Sequence, residues 1–170
     1  MIVAGFSYNG KLKIRKVAKS VKINATYYQE HILTPIFMND IPLLYPFDFQ
    51  NVEIHQDKAS SHTAHSTCTF LEEMEQETGI KSIPFDHIPV KSPDCSPMDF
   101  CVFGLLKQAL SKRHPKSLNG LWKVVEDEWD KLSITTLRKS LLSWKTRCRA
   151  IVQNKGFQIE HLKNRNYGLK

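Results

Sequence analysis

Residues 51–57, Asn-Val-Glu-Ile-His-Gln-Asp, are predicted to form a β-strand that ends at Asp57. A second aspartate, Asp99, closes the segment Ser-Pro-Asp-Cys-Ser-Pro-Met-Asp at residues 92–99, where a helix is predicted to start. Two carboxylates presented at a strand end and a helix start can hold Mg²⁺ for phosphodiester chemistry. Asp57 and Asp99 are therefore the candidate metal ligands and catalytic residues.

The elements on either side of this strand alternate between strands and helices. They are a hairpin at 1–18, a helix at 24–38, the strand at 51–57, a helix at 62–77, a strand at 80–85, a helical part at 96–152 and a loose tail at 154–170. This order predicts a single α/β domain over residues 1–170, with a mixed sheet and helices on its faces. Such sheets usually place their sites at the carboxyl ends of strands, where Asp57 is expected.

Local signals mark where several of these elements begin and end. Asn-Gly at residues 9–10 is typical of a hairpin turn. Asn24 and Thr135 are predicted helix caps, and Gly79 is predicted to stop the helix before it. Pro35 is expected to kink or end the helix that Asn24 starts, because proline removes a backbone donor.

Composition narrows the classes of partner and the compartment. The chain has 170 residues, a formal net charge of +7 and a pI of about 9.2, which favours an anionic partner such as nucleic acid or an acidic membrane face. It contains no run of about 20 apolar residues, so no membrane span is expected. Its four cysteines form no Cys-x-x-Cys pair and no zinc pattern. Without a signal peptide they are expected to be reduced thiols in the cytosol or nucleus.

Each aspartate also has a purely local interpretation. Asp57 could cap amides of the turn that follows it. Asp99 lies three residues after Ser96, the pattern of a capping box whose negative charge also complements the helix dipole. Taken alone, these local roles would be favoured, although a carboxylate in a first helical turn can still point towards a metal.

Several blocks of residues along the chain form a shared pattern. They are Tyr27-Tyr28, His55-Gln-Asp57 with His62-Thr-Ala64, Ser92-Pro-Asp94 with Pro97 and Asp99, and Trp144 with Arg147-Cys148-Arg149 and Gly156. Together they cover residues 2–160 and resemble the catalytic core of mariner-superfamily DNA transposases. The 41 residues between Asp57 and Asp99 are similar to the spacing of the mariner subgroup that has forty-one intervening residues and an aspartate as its third acid.

The resemblance implies a ribonuclease H-like fold and cut-and-paste chemistry on DNA. In this family three carboxylates hold two Mg²⁺ (or Mn²⁺) ions, which activate water and then a DNA 3′-hydroxyl for in-line displacement. Asp57 and Asp99 match the second and third acids. Asp94 is expected instead to support the turn before the helix.

The chain also departs from the family pattern. No acid before Asp57 matches the first catalytic acid, and the chain begins at the hairpin that follows the expected first, central strand. The amino-terminal helix-turn-helix domains that recognise transposon ends have no counterpart. Lys58 stands where the family usually has Asn, and its ammonium group would compete with a metal for Asp57. We therefore expect an amino-terminally truncated fragment with weak or absent metal binding, which does not transpose DNA by itself.

DNA is the expected partner, bound through its backbone without sequence specificity. The residues expected to contact it are Lys58, His62, Lys91, Lys112 and Arg113. The cations around the last helix are interpreted mainly as its solvent-exposed face, and contact with the DNA backbone is the alternative. They are Arg138, Lys139, Lys145, Arg147 and Arg149. A homo-oligomer or pairing with an intact transposase is a further expectation, no membrane partner is expected, and the expected location is the nucleus or the cytoplasm rather than outside the cell.

Two other interpretations stay open from the sequence. The chain can be a non-catalytic module that binds nucleic acid or inhibits an intact transposase. In that case, changes to the carboxylates would leave its effect intact, while changes to Lys and Arg would weaken it. It can also be a reading frame without a stable product.

Overall fold

The computed structural model describes residues 1–17, 21–89 and 92–159. Two compact units can be distinguished, the first within residues 1–90 and the second within residues 91–170. The first contains all the described strands, and the described part of the second is helical. No helix among the described residues combines the length and the apolar character that crossing a membrane requires.

The amino-terminal hairpin forms as predicted, with shorter paired strands. β1 (Ile2–Val3) pairs antiparallel with β2 (Arg15–Lys16). The turn closes where the N–H of Ser7 donates to the carbonyl of Gly10 over 2.7 Å. The Asn-Gly signal therefore placed this turn correctly.

A parallel pair of strands makes the second small sheet. β3 (Glu53–Ile54) pairs with β4 (Lys81–Ser82), and the N–H of Ile83 donates to the carbonyl of Ile54 over 2.9 Å. The chain passes from β3 to β4 through a helix, as a parallel connection usually does. With one antiparallel and one parallel pair, the described residues confirm the predicted α/β class with mixed strand directions.

A helical segment over residues 25–44 passes Pro35 without ending there. Asn24 caps it as predicted, because its side chain accepts a 2.8 Å hydrogen bond from the N–H of Tyr27. The segment comprises α1 (Ala25–Tyr28), π-helical turns at Gln29–Leu33 and Ile36–Asp40, and α2 (Ile41–Leu44). These wider turns accommodate a residue that lacks a backbone donor. Of the two predicted effects of Pro35, a kink or a helix end, the helix end is wrong.

The core of the first unit is built from the 25–44 segment, α3 (His65–Thr78) and the residue before β4. Its buried apolar residues are Tyr28, Ile32, Leu33, Ile36, Phe37, Ile41, Leu71, Met74 and Ile80. Gly79 ends α3 as predicted, with a left-handed φ of 77° that glycine adopts without strain. Thr67 is also fully buried. Its hydroxyl is satisfied there, because it donates to the carbonyl of Ser61 over 2.8 Å.

Three long helices make most of the second unit. A 3₁₀ turn (Pro93–Cys95) and a π-helical turn (Met98–Val102) precede α4 (Phe103–Arg113), α5 (Leu118–Lys131) and α6 (Ile134–Gln153). Ser133 caps α6, since its hydroxyl accepts from the N–H of Thr136 over 3.2 Å. The prediction of Thr135 as the cap is wrong, because that residue already lies inside the helix while Ser133 is extended.

A buried aspartate anchors the chain after α6. Asp94 is 6% exposed, and its Oδ2 accepts a 2.7 Å hydrogen bond from the N–H of Ile159. Arg147 donates from Nε to the Asp94 carbonyl over 3.0 Å, and its guanidinium lies 4.0 Å from the centre of the Phe100 ring. The first part of the predicted loose tail, up to Ile159, is therefore held in place, and residues 160–170 lie outside the described part.

Replacing Asp94 by Ala should destabilise the second unit by about 2–4 kcal/mol, because a buried N–H loses its acceptor and Arg147 loses its carboxylate. Urea unfolding followed by tryptophan fluorescence measures this, since all three tryptophans lie after residue 91. The control is Asp127→Ala, which breaks a partly exposed ion pair with Arg113 and should cost less than about 1 kcal/mol. Equal losses in the two variants would contradict the role of Asp94.

Candidate functional site

Asp57 lies just beyond the carboxyl end of β3, in the segment that leads into α3. Its side chain is 76% exposed, and its Oδ1 lies 2.6 Å from Nδ1 of His62. The same oxygen accepts a long contact of 3.4 Å from the N–H of Ala59. The hydrogen bond from His62 is the largest reason why the pKa of the Asp57 carboxyl is lowered, so the group is ionised at neutral pH.

Tyr28 fixes the histidine ring that holds Asp57. Tyr28 is buried at the end of α1, and its ring stacks on that of His62 with centroids 4.0 Å apart and an interplanar angle of 23°. Its hydroxyl donates to Oε1 of Gln56. Burial first, and the charge of Asp57 second, raise the pKa of Tyr28, so its hydroxyl stays protonated. The orientation of the Asp57 carboxylate therefore depends on a core side chain.

A second histidine lies before Asp57 and differs from His62. Burial lowers the pKa of His55, and the charge of Asp57 opposes this effect only in part. The imidazole of His55 is therefore neutral at neutral pH. The negative charge of Asp57 is thus held mainly by its bond to His62.

Asp99 lies in the π-helical turn that precedes α4, and its side chain is exposed. Its N–H donates to the carbonyl of Ser96 over 2.9 Å and makes a longer 3.4 Å contact with the Ser96 hydroxyl. The reciprocal bond of a capping box does not form, because the N–H of Ser96 donates to the Pro93 carbonyl over 3.2 Å instead. The Asp99 carboxylate is therefore not used by the cap.

The two aspartates suit a divalent metal by the type of their donor atoms. Both are exposed, and Mg²⁺ is commonly bound through one or two carboxylates while it keeps several waters. Asp57 belongs to the first unit and Asp99 to the second. Within the described residues, no group of three or more His, Cys, Asp or Glu side chains is arranged to hold a metal. By donor type, each of these carboxylates fits a hydrated divalent ion.

Two of the predicted nucleic-acid contacts lie in the first unit. Lys58 follows Asp57 directly and is half-buried. The side chain of His62 is 18% exposed and is already engaged by Asp57, so its contribution to binding would be to position the carboxylate. Lys91 lies outside the described residues.

The other two predicted contacts end α4 in the second unit. Lys112 is exposed. Arg113 bonds through both terminal nitrogens to Asp127 at 3.1 Å, and through one of them to Glu128 at 3.2 Å. Local acids therefore already balance the charge of Arg113.

Sequence reasoning missed the roles of Tyr28 and Gln56 at this site. Tyr28 belongs to the Tyr27-Tyr28 motif block, but its contact with His62 joins residues on different elements. The signal that could have found it is the presence of both residues in the blocks that share one family pattern. Gln56 lies in one of these blocks too, between His55 and Asp57, but the block does not indicate its hydrogen bond with Tyr28.

Solved structures of the Mos1 mariner transposase are similar to this chain. The Mos1 catalytic domain aligns with a TM-score of 0.77 and 18% identity, over 94% of this chain and 75% of that one. The same domain solved with Raltegravir and Mg aligns with a TM-score of 0.76 and 17% identity, over 94% and 76%. The Mos1 paired-end complex with Mn aligns with a TM-score of 0.79 and 19% identity, over 94% and 44%. No protein-family model and no curated protein sequence matches the chain.

These comparisons confirm the predicted fold. The chain has the ribonuclease H-like α/β fold of the Mos1 catalytic domain. It spans about three quarters of the length of that domain and 44% of the chain in the paired-end complex. At 17–19% identity the likeness establishes the fold, and activity has to be inferred from the residues of the site.

Replacing His62 by Leu should raise the pKa of the Asp57 carboxyl towards its ordinary value, because the largest cause of its lowering is removed. A folded-state pKa below the unfolded value stabilises the fold above the unfolded pKa and loses this effect as pH falls through the folded pKa. As pH falls from the unfolded-state pKa of Asp57 to its folded-state pKa, the variant should therefore lose less stability than the wild type. Carbon-detected NMR titration of Asp57 measures the shift. His65→Leu is the control, and an unchanged Asp57 titration in His62→Leu would contradict the assignment.

Proposed function

We propose that this chain is part of a cut-and-paste DNA transposase of the mariner superfamily. The observation that carries the proposal is the fold, because a chain whose motif blocks resemble the mariner catalytic core also aligns over 94% of its length with the Mos1 catalytic domain. The ancestral activity would be metal-dependent cleavage of DNA followed by strand transfer. Such a function belongs in the nucleus, where its DNA substrate lies.

In this proposal Asp57 and Asp99 are the metal ligands and the catalytic carboxylates. They would be the second and third acids of the subgroup with forty-one intervening residues. Mos1 structures with Mn and with Mg support a divalent ion as the cofactor. When bound, such an ion would lower the pKa of a coordinated water and stabilise charge on the phosphodiester oxygens. Before an ion binds, His62 would keep the Asp57 carboxylate ionised and oriented.

The same residues predict low activity for this chain by itself. It supplies two matching carboxylates where the family uses three, and two carboxylates should hold an ion weakly. Lys58 adds an ammonium group directly after Asp57, which favours the carboxylate without a metal. We therefore expect weak Mg²⁺ or Mn²⁺ binding and no excision of DNA by this chain alone.

DNA would be bound through its backbone, with Lys58, Lys91 and Lys112 as proposed contacts and the paired Arg113 as a weaker one. Mos1 has been solved as a paired-end complex, which supports pairing of this chain with a second copy or with an intact transposase. A non-catalytic, DNA-binding or inhibiting module is the second candidate. It is favoured by the lack, within the described residues, of any group of three or more metal-ligating side chains.

Mn²⁺ binding to the purified chain should be lost in both Asp57→Ala and Asp99→Ala, if the two carboxylates serve one ion. Isothermal titration calorimetry measures it, and Asp86→Ala, which removes another exposed acid, should bind as the wild type does. Binding that survives in both variants would contradict the metal-ligand assignment and favour the non-catalytic module.

The chain alone should not excise a transposon from a plasmid in Mg²⁺ or Mn²⁺, because no residue of this chain matches the first of the family's three carboxylates. Gel analysis of a supercoiled donor plasmid reveals nicking and excision separately. The Asp57→Ala, Asp99→Ala double variant shows the background from contaminating nucleases. Robust excision by the wild type above this background would refute the expectation.

A further inference from the structure

The last helix of the described chain has an unusual balance of charge. α6 carries five basic residues and no acidic residue over its 20 positions. α5, of 14 residues, carries four acidic residues: Glu126, Asp127, Glu128 and Asp130. A helix with cations alone repels itself, and a solvated helix face more often mixes both signs.

One of the five cations serves the interior. The side chain of Arg147 is 11% exposed, and it lies against the carbonyl of Asp94 and the ring of Phe100. Its charge therefore belongs to the packing of the second unit. The charges that face solvent must be counted without it.

Three other cations line one exposed ridge. Lys139, Lys145 and Arg149 are exposed, and the exposed apolar residues Leu142 and Val152 lie between and after them, at 69% and 77% exposure. Successive members of this series are three or four residues apart, so they form a continuous ridge along one helix face. We call these five residues the α6 ridge.

Acids elsewhere in the unit do not cancel these charges. Arg113 and Lys131 are paired with Asp127 and Glu128. Among the described residues, by contrast, no ion pair joins an acid to a cation of the α6 ridge. The ridge therefore concentrates unpaired positive charge on one surface.

We propose that the α6 ridge binds the phosphate backbone of nucleic acid. A rise of about 1.5 Å per residue spreads its cations over about 15 Å of helix, along which duplex DNA carries about nine charges. Leu142 and Val152 add apolar area next to the cations, suited to sugar carbons. This inference deepens the proposed function and rests on DNA being its partner, but it needs neither the metal nor Asp57 and Asp99.

The test is the salt dependence of DNA binding by the full chain. Fluorescence anisotropy with a random-sequence 30-base-pair duplex, in EDTA and at 50–200 mM salt, gives the slope of log K against log salt. The triple variant Lys139→Gln, Lys145→Gln, Arg149→Gln should lower the steepness of that slope by about 2.7, since each lost phosphate contact contributes about 0.9. Each single variant should lower it by about 0.9, which keeps the test valid if the triple variant is unstable.

The matched control removes the same charge from other exposed positions. Lys81→Gln, Lys107→Gln, Lys123→Gln should leave the slope within about one contact of the wild type. Equal effects of the two triple variants, or no effect of the ridge variant, would overturn the proposal. Absence of DNA binding, or ridge-dependent binding to vesicles with 30% anionic lipid in its place, would overturn it too. Because EDTA removes metal ions, these DNA-binding results do not depend on whether Asp57 and Asp99 bind Mn²⁺. A failure of the ridge proposal can therefore be distinguished from a failure of the metal-site proposal.

Discussion

The stack of Tyr28 on His62 is the contact on which the proposed site depends. Tyr28 belongs to the buried cluster of the first unit, while His62 bonds to the exposed carboxylate of Asp57. Pairing of β3 stops at Ile54, so the strand itself does not reach the carboxylate. An exposed aspartate on an irregular segment would otherwise sample several rotamers. Core packing therefore fixes the ring of His62, and His62 in turn orients the Asp57 carboxylate.

The second unit shows how burial separates two aspartates of the same segment. Asp94 is buried and accepts from the N–H of Ile159, so its carboxylate is committed to holding the chain together. Asp99 is exposed, and the Ser96 N–H that could have engaged it bonds to a carbonyl instead. The sequence analysis assigned the third acid to Asp99 and a supporting role at the turn before the helix to Asp94. Burial and hydrogen bonding leave only Asp99 available for a ligand.

Features with local causes could be predicted from the sequence. Asn24 and Gly79 were placed correctly because a cap and a left-handed helix end depend on one or two neighbouring residues. Pro35 does not end the helix, because π-helical turns on either side accommodate its missing N–H, and no local sequence pattern predicts such turns. At the site, the strand predicted to end at Asp57 stops at Ile54 instead. The bond of Asp57 to His62 was not predicted, because the His62 ring is held by Tyr28 from another element. Contacts between elements are set by packing, and one sequence does not show them.

The positive charge of the chain is informative only once its pairs are known. A net charge of +7 shows that cations are in excess, without saying where. Arg113 in α4 and Arg147 in α6 are balanced by nearby acids, whereas Lys139, Lys145 and Arg149 lie on α6, which has no acid of its own. Part of the excess therefore lies on one exposed face of α6, and it does not depend on the carboxylates Asp57 and Asp99. Loss of metal chemistry would leave it unchanged. If the α6 ridge binds DNA as proposed, a loss of cutting would leave DNA binding in place, and catalysis and binding would be separable properties of this fold.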